Sequence, residues 1–147
     1  MADDVAHHAE LVQELVNDHR QLLEAYHGLK RSADDGDITA FRAALARFKS
    51  LLVPHVVKEA YKVYTYLRQT LKARGDMDAY QRVNGYKAEM GHIGEAAIQF
   101  IDTYTQAQDD DIDFEQVRSA LREIGVLLGD RIRREEADLY PLYRTLN

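Results

Sequence analysis

The sequence predicts an all-α fold, an antiparallel up-down-up-down bundle of four helices in a single domain over 1–147. Three observations carry that expectation. Apolar residues recur at steps of three and four, the spacing that lines one face of an α-helix. Polar breaks divide the chain into four long segments, roughly 5–31, 38–73, 77–106 and 114–143. No segment alternates apolar and polar residues as a half-buried strand does. Short connections between long helices then make consecutive helices antiparallel neighbours.

The first segment carries Val12, Leu15, His19, Leu22, Tyr26 and Leu29 on one row. It ends in Ser32-Ala33-Asp34-Asp35-Gly36-Asp37, where Asp37 suits the N-cap of the next helix. The second carries Phe41, Leu45, Phe48, Leu52, His55 and Glu59. Pro54 lies inside it and removes a backbone hydrogen bond, so a bend is expected just before His55. Gly75 suits a left-handed helix terminus, and Asp76 the N-cap that follows. The third row is Val83, Tyr86, Met90, Ile93, Ala97, Phe100 and Tyr104. The acidic run Asp109 to Asp111 reads as a solvated loop, because the spacing of a calcium-binding EF-hand is absent. Asp113 and Gln116 have capping-box spacing. The fourth row is Val117, Leu121, Ile124, Leu128, Arg131 and Glu135.

Composition narrows the function classes. The chain has 147 residues, 46% of them hydrophobic and 30% charged, enough for one sizeable core. It has no Cys, which excludes disulfides, thiolate metal ligands and a cysteine nucleophile. The net charge of -6 argues against a nucleic-acid partner, which needs clustered Lys and Arg. No apolar run approaches the roughly 20 residues of a membrane span, and the acidic Met1-Ala2-Asp3-Asp4 start is unlike a signal peptide. A soluble cytoplasmic protein with no nucleic-acid or membrane partner is expected.

Five polar residues break the inward rows: His19, His55, Glu59, Arg131 and Glu135. The chain also repeats itself at an offset of 76, as 135 minus 59 shows: Phe41, Leu45, Phe48, Leu52, His55, Glu59, Val63 and Tyr64 match Val117, Leu121, Ile124, Leu128, Arg131, Glu135, Leu139 and Tyr140. Each repeat brings a polar pair at i and i+4 to one face. Burying such groups is costly unless they pair or bind metal. Two readings follow. His19, His55, Glu59 and Glu135 are a plausible shell for iron, manganese or zinc. Alternatively, Arg131 pairs with both glutamates and the histidines donate hydrogen bonds.

The segments Asp18-His19-Arg20-Gln21-Leu22-Leu23, His55-Val56-Val57-Lys58-Glu59 and Arg131-Ile132-Arg133-Arg134-Glu135 through Leu142 resemble the hemerythrin HHE domains. The resemblance covers nearly the whole chain. It implies a hemerythrin-like four-helix bundle with two irons held by histidines and two bridging carboxylates. His19 and His55 match the ligands of one iron, and Glu59 and Glu135 the bridges. At the other iron's histidine positions stand Tyr86, Met90 and Arg131. The implied function is a non-enzymatic binding or sensor domain with at most one iron or zinc ion, Arg131 replacing the second. Two further stretches, Arg20 to Tyr26 and Phe114 to Arg131, are similar to the regulator of sigma D and AlgQ family, which implies a metal-free anti-sigma regulator as the alternative.

No nucleophile–base pair, phosphate loop or cofactor motif is visible, so no enzyme is expected. Glu89-Met90-Gly91-His92 has the E-x-x-H spacing of a ferritin-like ligand pair, but one copy is weak and His92 is expected in solvent. His7, His8 and His27 are expected on the surface. Val53, Val57, Tyr61 and Tyr64 form an apolar row on the back of the second helix, far more polar in the repeat, and are read as a surface for a protein partner or homodimer.

Overall fold

In the computed structural model, which describes residues 5–146, four long helices form an antiparallel bundle, as the patterning predicts. Helix α1 (Leu11–Asp35) is the first. The second runs through α2 (Ile38–Lys58), a π-helical turn (Glu59–Tyr64) and α3 (Thr65–Arg74) without a break. The third is α4 (Met77–Gln106). The fourth comprises α5 (Phe114–Arg134), a second π-helical turn (Glu135–Leu139) and α6 (Tyr140–Thr145). Cross-chain bonds show the antiparallel order: Tyr26 bonds Leu121, whereas His19, one end of α1 nearer, bonds Glu135.

The breaks work as their residues suggest. Asp37, Asp76 and Asp113 each accept a hydrogen bond from a backbone N–H in the turn they open, at Ala40, Ala79 and Glu115 respectively. Gly36 and Gly75 take the left-handed conformation, φ 64° and 75°, that ends the preceding helix. The acidic run forms a short 3₁₀ turn, Asp109–Asp111, tied to α2 by the Arg42–Asp109 ion pair.

The first helix differs from expectation at both ends. It starts at Leu11 rather than 5 and continues past 31 to Asp35. Ser32 satisfies its hydroxyl on the Leu29 carbonyl, and Ala33 is fully buried, so apolar packing carries the helix through a stretch whose composition reads as a break. His7 is half-buried rather than fully at the surface: its ring stacks on Tyr143 at 4.4 Å and meets the edge of Tyr66 at 5.2 Å.

The apolar core falls into two clusters. One gathers residues such as Leu22, Phe48, Leu52, Ala97 and Leu128. The other gathers Leu15, Val63, Leu67, Val83 and Leu139. Between them lie His19, His55, Glu59, Arg131 and Glu135, all buried. The polar residues therefore form a layer across the bundle.

Tyr26 shows how tightly the α1–α5 seam is packed. Its hydroxyl donates to the Leu121 carbonyl at 2.6 Å, and its ring fills the hollow left by Gly125. A Cβ at Gly125 would run into that phenol. Gly125→Ala is expected to cost about 1–3 kcal/mol through overpacking, read from denaturant unfolding, and adding Tyr26→Leu should restore part of the loss. An unchanged midpoint would show that the seam yields freely.

Candidate metal centre

The polar layer is built by register. His55 and Glu59 lie one turn apart on the second helix, and Arg131 and Glu135 repeat that arrangement on the fourth. Ligand atoms of His19, His55, Glu59 and Glu135 all lie within 4.8 Å of one another. The structure thus brings together the four residues that the sequence singles out as metal ligands.

Each glutamate divides its oxygens between two sides. On one side Arg131 spans both: Nε donates to Glu135 Oε2 at 3.1 Å and Nη2 to Glu59 Oε1 at 3.3 Å. Its Nη1 donates to the Met90 carbonyl at 3.1 Å. Met90 therefore serves this layer through its backbone. Gly94 makes room, since a Cβ there would come within 2.9 Å of Nη1. In the third row Gly94, not Ile93, is the buried residue at this level. On the other side, Glu135 Oε1 lies 3.1 Å from His19 Nε2, and Glu59 Oε2 lies 3.4 Å from His55 Nε2.

Carboxylates orient both imidazoles. His19 Nδ1 is 2.7 Å from Glu136, and His55 Nδ1 is 2.9 Å from Asp18, which Lys58 also contacts at 3.0 Å. An ionised carboxylate only accepts, so each Nδ1 carries the hydrogen and each Nε2 turns a lone pair to the centre. His55 Nε2 is buried with no hydrogen-bond partner. A small hollow of about 10 Å³ lies where His19, His55, Arg131 and Glu135 meet the apolar side chains Leu22, Leu52, Leu128 and Ile132.

Charge is balanced unevenly. Burial opposes ionisation of Glu59, but the close approach of Glu135 and His55 and the charge of Arg131 hold it well below the usual carboxylate range. Burial and then the charge of Glu59 push Glu135 well above it. Burial likewise lowers His19 and keeps it neutral, against the pull of Glu136. Arg131 stays a cation: burial works against its charge, but Glu135 and Glu59 outweigh it.

Tyr140 completes the layer. Its hydroxyl donates to Glu59 Oε2 at 2.7 Å and lies 3.1 Å from His19 Nε2. The π-helical turn puts it there. In an α-helix, residues five apart point about 140° away from each other, whereas i→i+5 bonding brings them to one face. Tyr140 lies five residues after Glu135, and its repeat partner Tyr64 five after Glu59, each across a π-helical turn.

That register corrects the proposed surface row. Val57 and Tyr61 are 61% and 65% exposed, and Val53 is half-buried, but Tyr64 is 3% exposed and faces the core. The α period places it with Tyr61; the π turn rotates it inward. Tyr86 is half-buried, and its hydroxyl, like that of Tyr64, is buried without a partner. His92 is at the surface, 3.8 Å from Glu95.

The family model described as the hemerythrin HHE cation-binding domain matches residues 10–143. The chain belongs to this family. Neither the search of curated proteins nor that of solved structures finds a significant match. As a hemerythrin HHE domain it presents a donor set that could hold a cation. The evidence is the unpartnered His55 Nε2, the hollow beside it and the two imidazoles aimed by Asp18 and Glu136. Of these, sequence pattern assigns no role to Asp18, Glu136, Tyr140 or Gly94. The one local signal is that Asp18 and Glu136 adjoin the ligand positions in sequence. Among the described residues, no helix is long and apolar enough to cross a membrane.

Proposed function

We propose that this HHE domain is a non-enzymatic binding or sensing element that holds one iron or zinc ion. His19 and His55 through Nε2, with Glu59 and Glu135, would hold it, and Arg131 takes the place of a second cation. The observation that carries this reading is His55 Nε2, a buried ring nitrogen with no hydrogen-bond partner, 3.4 Å from Glu59 Oε2, with its other nitrogen committed to Asp18. A buried nitrogen without a partner is costly unless something occupies the position it faces. Two imidazoles and two carboxylates are a donor set suited to zinc and to ferrous iron. Ferrous iron would supply a one-electron couple and an open position for a small ligand; zinc would supply Lewis acidity alone. This chain's own residues exclude bulk water, aim the imidazoles and balance the carboxylate charge.

Elemental analysis after anaerobic loading with ferrous iron, and separately with zinc, tests this. About one ion per chain is expected in the wild type, and a tenfold or greater loss of affinity in His55→Ala. If neither metal binds, Arg131 alone neutralises the glutamates. The bonds from Arg131 to both glutamates favour that second reading, a metal-free regulator of the anti-sigma type whose exposed Val57 and Tyr61 meet a protein partner.

A further inference from the structure

The hydroxyl of Tyr140 lies among the ligand atoms themselves. It is 2.7 Å from Glu59 Oε2 and 3.1 Å from His19 Nε2, and the phenol ring stacks on the His19 ring with an interplanar angle of 18°. Tyr140 is 1% exposed, so its rotamer is held by packing on every side. Two donors bound to one ion at about 2.1 Å stand about 3.0 Å apart at octahedral angles and about 3.4 Å apart at tetrahedral angles. Three of the four neighbouring donor pairs fall near those edges, and the Tyr140–Glu59 pair is closer, at hydrogen-bond distance. Tyr140 to Glu59 is 2.7 Å, Tyr140 to His19 is 3.1 Å, His19 to Glu135 is 3.1 Å and Glu59 to His55 is 3.4 Å. The phenol oxygen thus lies within 3.1 Å of two of the four ligand atoms.

We propose that Tyr140 supplies a fifth donor atom, an anionic oxygen, which makes the site selective for ferric iron. The inference rests on the one-metal reading. Burial and the charges of Glu59 and Glu135 keep the phenol protonated in the metal-free protein; on binding, the charge of the ion breaks the phenol O–H bond, and that proton and the one held by Glu135 leave to solvent. The oxygen lone pair enters the new bond, and no oxidation state changes. Three anionic oxygens then face the ion, with Arg131 the one fixed cation beside them. A phenolate is a hard ligand, and its extra negative charge offsets the third positive charge of a ferric ion. The repeat makes the choice one-sided. Tyr64 occupies the equivalent position in the repeat, but its buried hydroxyl has no hydrogen-bond partner among the ligand atoms.

The test is visible absorption and resonance Raman spectroscopy of metal-free protein loaded with ferric citrate, with elemental analysis of each sample. The wild type should bind iron and show a phenolate-to-iron charge-transfer band with enhanced phenolate ring modes. Tyr140→Phe should lose both while still binding zinc, and Tyr64→Phe should keep both. Iron bound in the wild type without phenolate modes would overturn the proposal, and so would modes that survive Tyr140→Phe. The wild-type Raman spectrum decides the matter even if Tyr140→Phe does not fold. Zinc binding without ferric binding would refute the fifth donor and leave the one-metal reading standing; failure of every metal to bind would refute both.

Discussion

Arg131→Met is expected to lower the stability of the metal-free protein by about 3–5 kcal/mol, because removing one partner of a buried ion pair leaves the other charge uncompensated. For a chain of this size the midpoint of thermal unfolding should fall by about 6–20 °C. Methionine matches much of the arginine's length, so lost volume is a minor part of the effect. The major part is electrostatic. Arg131 makes three hydrogen bonds in the layer, to Glu135, Glu59 and the Met90 carbonyl. Both glutamates are fully buried, and without the guanidinium the charge of Glu59 is left uncompensated beside Glu135 in an apolar bundle. A second substitution exposes the cause. Adding Glu59→Gln to Arg131→Met removes the excess charge, so the double variant should be more stable than the sum of the single losses implies. A loss below about 1 kcal/mol for Arg131→Met, typical of an exposed pair, would contradict this account.

On the proposed one-ion reading, Arg131→His is expected to raise the capacity of the site to two metal ions. Arg131 now places a permanent positive charge between Glu59 Oε1 and Glu135 Oε2. A second cation cannot share that position. An imidazole at the same point of α5 would offer a lone pair in place of five N–H groups. Gly94 leaves room beside the Arg131 guanidinium, and the hydroxyls of Tyr64 and Tyr86 are buried without a partner. Elemental analysis after loading with excess ferrous iron or zinc measures the outcome. A capacity that stays at one ion would show that the missing third-helix histidines, where Tyr86 and Met90 stand, matter more than the guanidinium. Together the two variants separate the structural task of Arg131, holding two carboxylates together without metal, from its effect on cation number.

The chemistry of the layer was legible because it violates a pattern. His19, His55, Glu59, Arg131 and Glu135 stand in rows that are otherwise apolar, and a helical row maps onto a bundle core with little ambiguity. The three aspartate caps and the two left-handed glycines were legible for a similar reason, since their chemistry is local to the turn they make. The offset of 76 between the two polar pairs also belongs to the sequence, and it carries over into the structure as two π-helical turns at matching places.

Tertiary structure alone decided what lies around those residues. The π-helical turns change the register after Glu59 and Glu135, so Tyr64 and Tyr140 face inward although the α period turns them outward. A single inserted residue's worth of twist is set by the packing it permits, and no spacing rule reports it. The same holds for Asp18 and Glu136, whose roles depend on how far neighbouring helices are rotated towards the imidazoles, and for Gly94, whose missing side chain matters only because Arg131 reaches it from another helix. The sequence by itself determined the bundle, its caps and the identity of the buried charges. The rotation and register of helices against each other decided which atoms those charges meet, because a side chain's partners across a bundle are set by packing and not by its own helix.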